Sequence, residues 1–205
     1  MYVLMINGSP RKNGNTALAL AEMEKIFAES GVDCEIMQVG NQAIRGCAAC
    51  GGCGKTGRCV FDDAVNEAAK KFEHADGLVL ASPVYYASAN GTLVSFADRL
   101  FYSTGFDKTM KVGASVAVAR RGGCSATFDE LNKYFTICGM PVVSSQYWNS
   151  VHGRLPGEAA GDAEGLQTMR TLARNMVFLM KSIELGKAQF GVPEKEPWTP
   201  THFVK

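Results

Sequence analysis

Four cysteines lie close together in a glycine-rich segment, with the spacing Cys47-x2-Cys50-x2-Cys53-x5-Cys59. Thiolates are soft ligands, and four of them converging on one site suit a four-iron four-sulfur (4Fe-4S) cluster. The three close cysteines can each bind one iron, and the longer spacer lets Cys59 return to the fourth. Zinc is an alternative, although tetrathiolate zinc sites more often pair two separated C-x2-C units. Free thiols are the remaining interpretation.

A second candidate site is a polar loop near the start of the chain, Asn7-Gly8-Ser9-Pro10-Arg11-Lys12-Asn13-Gly14-Asn15-Thr16. It contains hydroxyl and amide groups, two cationic side chains, and glycines that allow tight turns and close approach of the backbone. A helix is predicted to begin at its end. The backbone N–H groups and the dipole of a helix N-terminus both favour an anion. The loop therefore predicts a phosphate-binding site.

Other nucleotide-binding motifs do not fit the sequence. The first strand-to-helix turn has no G-x-G-x-x-G motif, which argues against an NAD-binding Rossmann site. Gly54-Lys55-Thr56 is similar to the end of a P-loop, but Ala49 stands where its first glycine belongs and no clear strand precedes it. A receiver domain needs an acidic cluster beside the first strand, and Asn7-Gly8-Ser9 supplies none.

Composition and charge predict one globular domain in a reducing compartment. The chain has 205 residues, of which 46% are hydrophobic and 20% are charged. Its formal net charge of +1 gives no reason to expect nucleic acid or a membrane surface as a partner. The apolar run at residues 2–6 is too short for a signal or membrane-spanning segment. We therefore expect a cytoplasmic protein, in which clustered cysteines bind metal or act in catalysis rather than forming disulfides.

Short apolar runs alternate with helical patterns along the chain. Strands are predicted at residues 2–6, 34–39, 78–81, 112–119 and 142–147. Helices are predicted at residues 17–30, 64–74, 91–101 and 163–184, with one more that passes through Leu131 and ends near Gly139. Residues 1–185 are predicted to form one domain with a cysteine-rich insertion at 40–61, of which 40–57 is expected to be irregular. Residues 186–205, which contain three prolines, are predicted to form an extended tail.

This alternation predicts an α/β fold, a doubly wound five-stranded parallel sheet with helices on both faces. Ligands of such sheets bind at the carboxyl ends of the strands, where the strand order reverses. The loops after the first, third and fourth strands are therefore the candidate site.

Several motifs together resemble the NADPH-dependent FMN reductase and flavodoxin-like superfamily. They are Gly-Ser-Pro-Arg…Gly-Asn-Thr at positions 8–16, Ser82-Pro83-Val84-Tyr85-Tyr86 after the third strand, and Asp98-Arg99 in the next helix. The resemblance covers about residues 1–147 and implies the flavodoxin-like strand order 2-1-3-4-5 and bound FMN. The cysteine spacing resembles that of the iron–sulfur flavoproteins, a branch of the same superfamily.

The resemblance also implies roles for individual residues. It implies that the FMN phosphate is held by Ser9, Arg11, Asn13, Asn15 and Thr16; that the isoalloxazine ring is flanked by Pro83, Val84, Tyr85 and Tyr86; that the polar edge of the ring is bordered by Ala119, Arg120, Arg121, Gly122 and Gly123; and that Cys47, Cys50, Cys53 and Cys59 are the candidate 4Fe-4S ligands. Asp98 and Arg99 are interpreted as a structural ion pair. Trp148, Asn149 and His152 could reach the site from this or a neighbouring subunit.

The leading hypothesis is an oxidoreductase in which FMN carries the chemistry, so no catalytic side chain is predicted. A nicotinamide from NAD(P)H would deliver hydride to flavin N5, and electrons would pass to a quinone-like or other acceptor. The alternative is an electron carrier in which the cluster relays electrons between a ferredoxin-like protein and FMN. A third possibility is a flavin-binding module without turnover. A homodimer or homotetramer is expected, because the final helix and the tail, with Trp198 and Phe203, could cover a second subunit.

Overall fold

A computed structural model describes residues 1–201 and places a parallel sheet at the centre of the molecule. The strands are β1 (Tyr2–Asn7), β2 (Asp33–Gln38), β3 (Gly77–Tyr85), β4 (Ser88–Ala89), β5 (Val112–Ala119) and β6 (Ser150–His152). Five of them pair in the order β2-β1-β3-β5-β6, all parallel, and the short β4 folds back on β3 as an antiparallel hairpin. The predicted α/β fold with a five-stranded parallel sheet is confirmed.

Helices cover both faces of the sheet. They are α1 (Asn15–Glu29), α2 (Cys53–Thr56), α3 (Ala64–His74), α4 (Gly91–Ser103), α5 (Cys124–Thr136) and α6 (Ala163–Phe190), with a short 3₁₀ helix at Glu158–Gly161. Side chains cap the N-termini of three of these helices. Asp63 accepts from Val65 N (3.1 Å) at α3, Asn90 from Thr92 N (2.9 Å) at α4 and Asp162 from Gly165 N (2.9 Å) at α6. Each cap satisfies a backbone donor that the helix itself leaves free.

The core has two layers, one on each face of the sheet. Along β1, Val3 and Met5 belong to the layer under α1 and α6, whereas Leu4 and Ile6 belong to the layer under α3, α4 and α5. Alternate residues of a strand point to opposite faces, so a strand covered on both sides is apolar throughout. This explains the continuous apolar run at the start of the sequence.

The predicted fifth strand at residues 142–147 is wrong. Val142 makes one isolated bridge to Gly113, and regular pairing with β5 begins only at Ser150. Between them Ser145 Oγ lies 2.6 Å from the Tyr147 carbonyl oxygen and 2.7 Å from Asn149 Oδ1. These contacts turn the chain away from the sheet, and the strand begins at Ser150, eight residues later than expected.

The largest of the other differences from prediction lie in three regions. Residues 53–56, expected to be irregular, form the single turn α2. β3 continues through Pro83 to Tyr85, four residues past the predicted end. α6 continues to Phe190, so the segment predicted as an extended tail begins inside a helix, which ends where Gly191 takes a φ of +76°. Phe203 lies outside the described residues. Within residues 1–201 no helix, α6 included, is both long enough and apolar enough to cross a membrane.

Candidate functional site

A cleft of about 160 Å³ lies at the carboxyl ends of the central strands. It joins the loop after β1, the carboxyl end of β3, and the carboxyl end of β5 with Arg120 beyond it, to a segment that follows β6. The lining residues are Ser9, Arg11, Gly14, Asn15, Thr16, Pro83, Val84, Tyr85, Val118, Ala119, Arg120, Gly153 and Arg154. Of the predicted cofactor residues, the lining does not include Asn13, Tyr86, Arg121, Gly122 and Gly123.

The loop after β1 is fixed by hydrogen bonds that its backbone N–H groups donate to β3 and to two side chains. Gly8 N donates to Ala81 O (2.8 Å), Ser9 N donates to Asn7 Oδ1 (3.0 Å) and Arg11 N donates to Ser9 Oγ (3.2 Å). Helix α1 then begins after Gly14, and within residues 1–201 no side chain caps it. The first-turn N–H groups of α1 therefore suit an anion.

Asn15 has a different surrounding from the one expected of a phosphate ligand. Its Nδ2 donates to Leu155 O (3.0 Å), and its Oδ1 accepts from Gly157 N (3.0 Å) and Ala159 N (3.2 Å). The side-chain amide thus fastens residues 155–159 to the loop after β1. The Asn15 side chain is therefore occupied within the protein, and its backbone N–H is the group that can bind a ligand.

The segment after β6 is a part of the cleft that the sequence analysis missed. It brings Arg154 into the lining, and Gly153 N donates to Ala119 O (2.9 Å). Gly153 must be glycine, because a Cβ there would lie 2.7 Å from both Asn15 Nδ2 and Ala159 N. The available signal was the Gly-Arg pair immediately beyond the last strand, at the edge of the sheet where ligands bind.

The turn between β3 and β4 is strained. Tyr86 and Ala87 have φ values of +50° and +60°, as in a type I′ hairpin turn, where asparagine and glycine are the usual residues. The turn is held from outside, because the Glu130 carboxylate accepts from Ser88 Oγ (2.9 Å) and Ala89 N (2.7 Å). The Tyr86 side chain is fully exposed beside the cleft-lining Tyr85. Strain of this kind concentrates at functional sites.

Replacing Ala87 with glycine is expected to raise the free energy of unfolding by about 1 kcal/mol, because glycine adopts a positive φ without the clash that a Cβ makes. The matched control is Ala126→Gly in the exposed face of α5, where the same change should lower stability by about 1 kcal/mol. Urea unfolding measures both. Equal losses from the two substitutions would contradict the strained turn.

The loop after β5 contributes less to the cleft than expected. Ala119 and Arg120 line the cleft, whereas Arg121 and Gly122 are exposed. Gly123, with a φ of +91°, packs against the β3–β4 turn, and a Cβ there would lie 2.8 Å from Val84. Trp148 and Asn149 do not line the cleft either.

The four clustered cysteines border one small cavity away from this cleft. Cys47 and Cys50 are exposed, Cys53 is half-buried and Cys59 is buried. Within residues 1–201 no three His, Cys, Asp or Glu side chains come together in a metal-binding arrangement. The structure therefore brings the cysteines around a common space, and their role as a ligand set stays a prediction.

Arg99 is buried beneath this cavity, with its side chain 1% exposed. Its Nε and Nη2 each donate to Cys59 Sγ (3.3 Å), and its Nη1 and Nη2 donate to the two carboxylate oxygens of Asp63 (2.7 and 2.9 Å). Two cationic N–H donors at a sulfur suit a thiolate. Arg99 therefore pairs with Asp63 and not with its neighbour Asp98, which accepts from Tyr134 Oη (2.5 Å).

Comparison with known proteins decides the family. The model of the NADPH-dependent FMN reductase family matches residues 1–154, well over half of the chain. The chain belongs to this family. The FMN reductase match includes every loop that lines the cleft.

Relatives of this FMN reductase family member carry the name of its iron–sulfur branch. An iron-sulfur flavoprotein of Methanocaldococcus jannaschii is 34% identical over 192 residues, which span 90% of this chain and 100% of the relative. An iron-sulfur flavoprotein of Methanosarcina thermophila is 31% identical over 192 residues, which span 91% of this chain and 99% of the relative. Family and relatives together support a flavin-dependent redox role.

Solved structures confirm the flavodoxin-like fold. A flavodoxin from the domain Archaea superposes with a TM-score of 0.60 at 13% identity, over 88% of this chain and 99% of the flavodoxin. An NADH:FMN oxidoreductase superposes with a TM-score of 0.62 at 21% identity, over 88% of this chain and 89% of the oxidoreductase. At these identities the likeness shows the fold alone.

The cleft of this FMN reductase family member fits the phosphate of FMN. The uncapped start of α1 opens on a cleft that also contains Arg11, Arg120 and Arg154. A phosphate dianion would complete the hydrogen bonds of the helix start and would balance the positive charge.

Proposed function

We propose that the protein binds FMN in this cleft and is an FMN-dependent oxidoreductase. In this proposal it accepts hydride from NAD(P)H and passes electrons to a quinone-like or other acceptor. The observation that carries the proposal is the uncapped start of α1 in a cleft that is lined by three arginines and lies beside the strained turn after β3. Membership of the FMN reductase family supports FMN as the cofactor. NAD(P)H as the electron donor and a quinone-like electron acceptor are our own additions.

Each loop has its own task in this proposal. The phosphate is bound by the Ser9 and Thr16 hydroxyl groups, the Arg11 side chain and the backbone N–H groups that begin α1. Pro83, Val84 and Tyr85 provide an apolar and aromatic wall for the ring, and Ala119 and Arg120 border its polar edge. Bound FMN would supply the hydride and electron transfer chemistry, while these residues bind and orient it.

A second function is favoured by the cysteine cavity. Four cysteines face a common space, and a buried arginine donates to one of their sulfurs. This arrangement suits Cys47, Cys50, Cys53 and Cys59 as ligands of a 4Fe-4S cluster, which would supply one-electron transfer. The protein would then be a carrier between a ferredoxin-like partner and FMN, and the names of the two relatives support this alternative.

Anaerobic reduction separates the two functions. Protein purified without oxygen should show the two visible bands of flavin, and iron and sulfide assays show whether a cluster is present. It is then mixed rapidly with NADPH or NADH. Fast bleaching of the flavin bands supports the reductase. Bleaching by reduced ferredoxin but by neither nucleotide would overturn it in favour of the carrier.

Arg11→Ala is expected to weaken FMN binding about tenfold to 100-fold, as for the loss of a charge-assisted hydrogen bond worth about 1.5–3 kcal/mol. Lys12→Ala is the matched control, because Lys12 is the next residue, carries the same charge and is outside the cleft lining. Titration calorimetry of FMN into apoprotein measures both. Equal effects at the two positions would indicate a general charge effect, and unchanged affinity in Arg11→Ala would contradict the assignment.

A further inference from the structure

Three side chains outside the cysteine cavity form a chain of contacts beside the cleft. Cys124 Sγ lies 3.9 Å from His152 Nε2, and His152 Nδ1 lies 3.4 Å from Asp162 Oδ2. They come from three separate elements. Cys124 is the first residue of α5, His152 is the last residue of β6 and Asp162 caps α6. A thiol, an imidazole and a carboxylate in this order are the components of an activated nucleophile.

Asp162 is held in a position that orients the imidazole. Its Oδ1 accepts from Gly165 N (2.9 Å) and its Oδ2 accepts from His152 N (2.6 Å), and its side chain is only 18% exposed. A carboxylate facing Nδ1 favours the imidazole tautomer that has its proton on that nitrogen. Nε2, the nitrogen that faces the sulfur, is then free to accept a proton.

Cys124 needs such a base. Burial and the negative charge of Asp162 raise the pKa of its thiol, so the resting group keeps its proton. The start of α5, which no side chain caps within residues 1–201, favours negative charge on the sulfur once the proton has left. The thiol is partly accessible and His152 is about half-exposed, so a small molecule can reach the pair.

We propose that Cys124 is a nucleophilic thiol that reacts with low-molecular-weight disulfides, with His152 as its general base and Asp162 as the residue that positions His152. In the reaction the thiol proton moves to His152 Nε2 while Sγ attacks one sulfur of R–S–S–R. The S–S bond of the disulfide breaks and the mixed disulfide Cys124–S–S–R forms. The leaving thiolate takes the proton from His152 and departs as R–SH, so the thiol is oxidised and the disulfide is reduced by the same two electrons.

The adduct would adjoin the cleft. Gly123 packs against the cleft-lining Val84, and Gly153, the residue after His152, lines the cleft itself. A mixed disulfide on Cys124 would therefore place a bulky group at the edge of the proposed FMN site. The reaction itself does not depend on FMN, so it can be tested whatever the outcome for the proposed function.

The test uses the purified full-length protein with glutathione disulfide at pH 7, and mass spectrometry follows each cysteine separately. Cys138 is the internal control, since it is half-buried and burial likewise raises the pKa of its thiol. We expect Cys124 to react at least about tenfold faster than Cys138, and His152→Gln to slow Cys124 about tenfold or more without changing Cys138. Asp162→Asn, whose single carbonyl oxygen can still cap α6 but cannot also accept from His152 N, should slow Cys124 severalfold without changing Cys138.

Two results would overturn the proposal. One is a Cys124 rate no faster than that of Cys138. The other is a Cys124 rate that His152→Gln leaves unchanged. A parallel reaction with iodoacetamide tests the ligand class, because fast alkylation of Cys124 without reaction with glutathione disulfide would show that the site does not take disulfides. The unchanged Cys138 rate verifies in each variant that the fold is intact.

Discussion

Gly40→Ala is expected to weaken FMN binding by about 100-fold or more and to lower the free energy of unfolding by about 1–3 kcal/mol. Gly40 follows β2 and crosses the start of the loop after β1, where its N–H donates to Asn7 O (3.1 Å). A Cβ on Gly40 would lie 2.1 Å from the Gly8 carbonyl oxygen and 2.4 Å from the Ser9 carbonyl carbon. These are backbone atoms, so the clash can be relieved only by moving the loop itself.

Gly46→Ala is the control for this substitution. Gly46 lies in the same connection, and a Cβ there would meet only Ser95 Oγ, at an ordinary 3.8 Å. Titration of apoprotein with FMN, followed by quenching of flavin fluorescence, gives both affinities, and urea unfolding gives both stabilities. If Gly40→Ala bound FMN as tightly as Gly46→Ala does, the proposed binding of the FMN phosphate by the loop after β1 would be contradicted.

Local signals were enough to predict the elements that position the cleft. The bounds of α3 and β5 agree with prediction, because Asp63 marks the start of α3 and β5 is apolar at almost every position. β1 was recognised for the same reason. In a doubly wound sheet these strands place their following loops at one edge, so the loops after β1, β3 and β5 could be assigned to one site from sequence.

The parts that were missed depend on contacts between distant residues. Asn15 looks like a phosphate ligand in sequence, yet its amide contacts residues about 140 positions away. In sequence, nothing distinguishes Gly40 from other loop glycines. Its close approach to the Gly8 backbone is a long-range contact that only the structure shows. β6 begins at Ser150 because the turn at Ser145 delays the pairing of this segment with β5. Local sequence patterns do not contain this information.

The ion pair beneath the cysteine cavity also joins residues far apart in sequence. Arg99 lies in α4, and Asp63 is the residue that caps α3. Arg99 also donates to Cys59, so the pair fixes the loop that carries this cysteine. Arg99 Nη1 additionally contacts Arg45 O (3.2 Å), at the other end of the cysteine segment. One buried guanidinium therefore ties both ends of this segment to the helical layer.

Arg99→Met is expected to lower the free energy of unfolding by about 3 kcal/mol, because it removes the buried guanidinium and leaves the Asp63 carboxylate, whose side chain is 27% exposed, without its cation. Methionine retains an apolar side chain in place of the arginine stem. The loss of stability therefore measures the contribution of the guanidinium group. The control is Asp98→Asn in the same helix, which removes a charge from the more exposed contact with Tyr134 and should cost less than about 1 kcal/mol.

A double-mutant cycle identifies the partner of Arg99. Asp63→Asn keeps an oxygen that can cap α3 but removes the charge, so it should be destabilising in the wild-type background. Once Arg99 is methionine, Asp63 has lost its cation, and the same substitution should cost far less or become stabilising. We expect a coupling energy of about 2 kcal/mol between the two positions, measured by denaturant unfolding of the four proteins. Additive losses would mean that Arg99 stabilises the fold through Cys59 and through the carbonyl oxygens of Arg45 and Phe61, and not through Asp63.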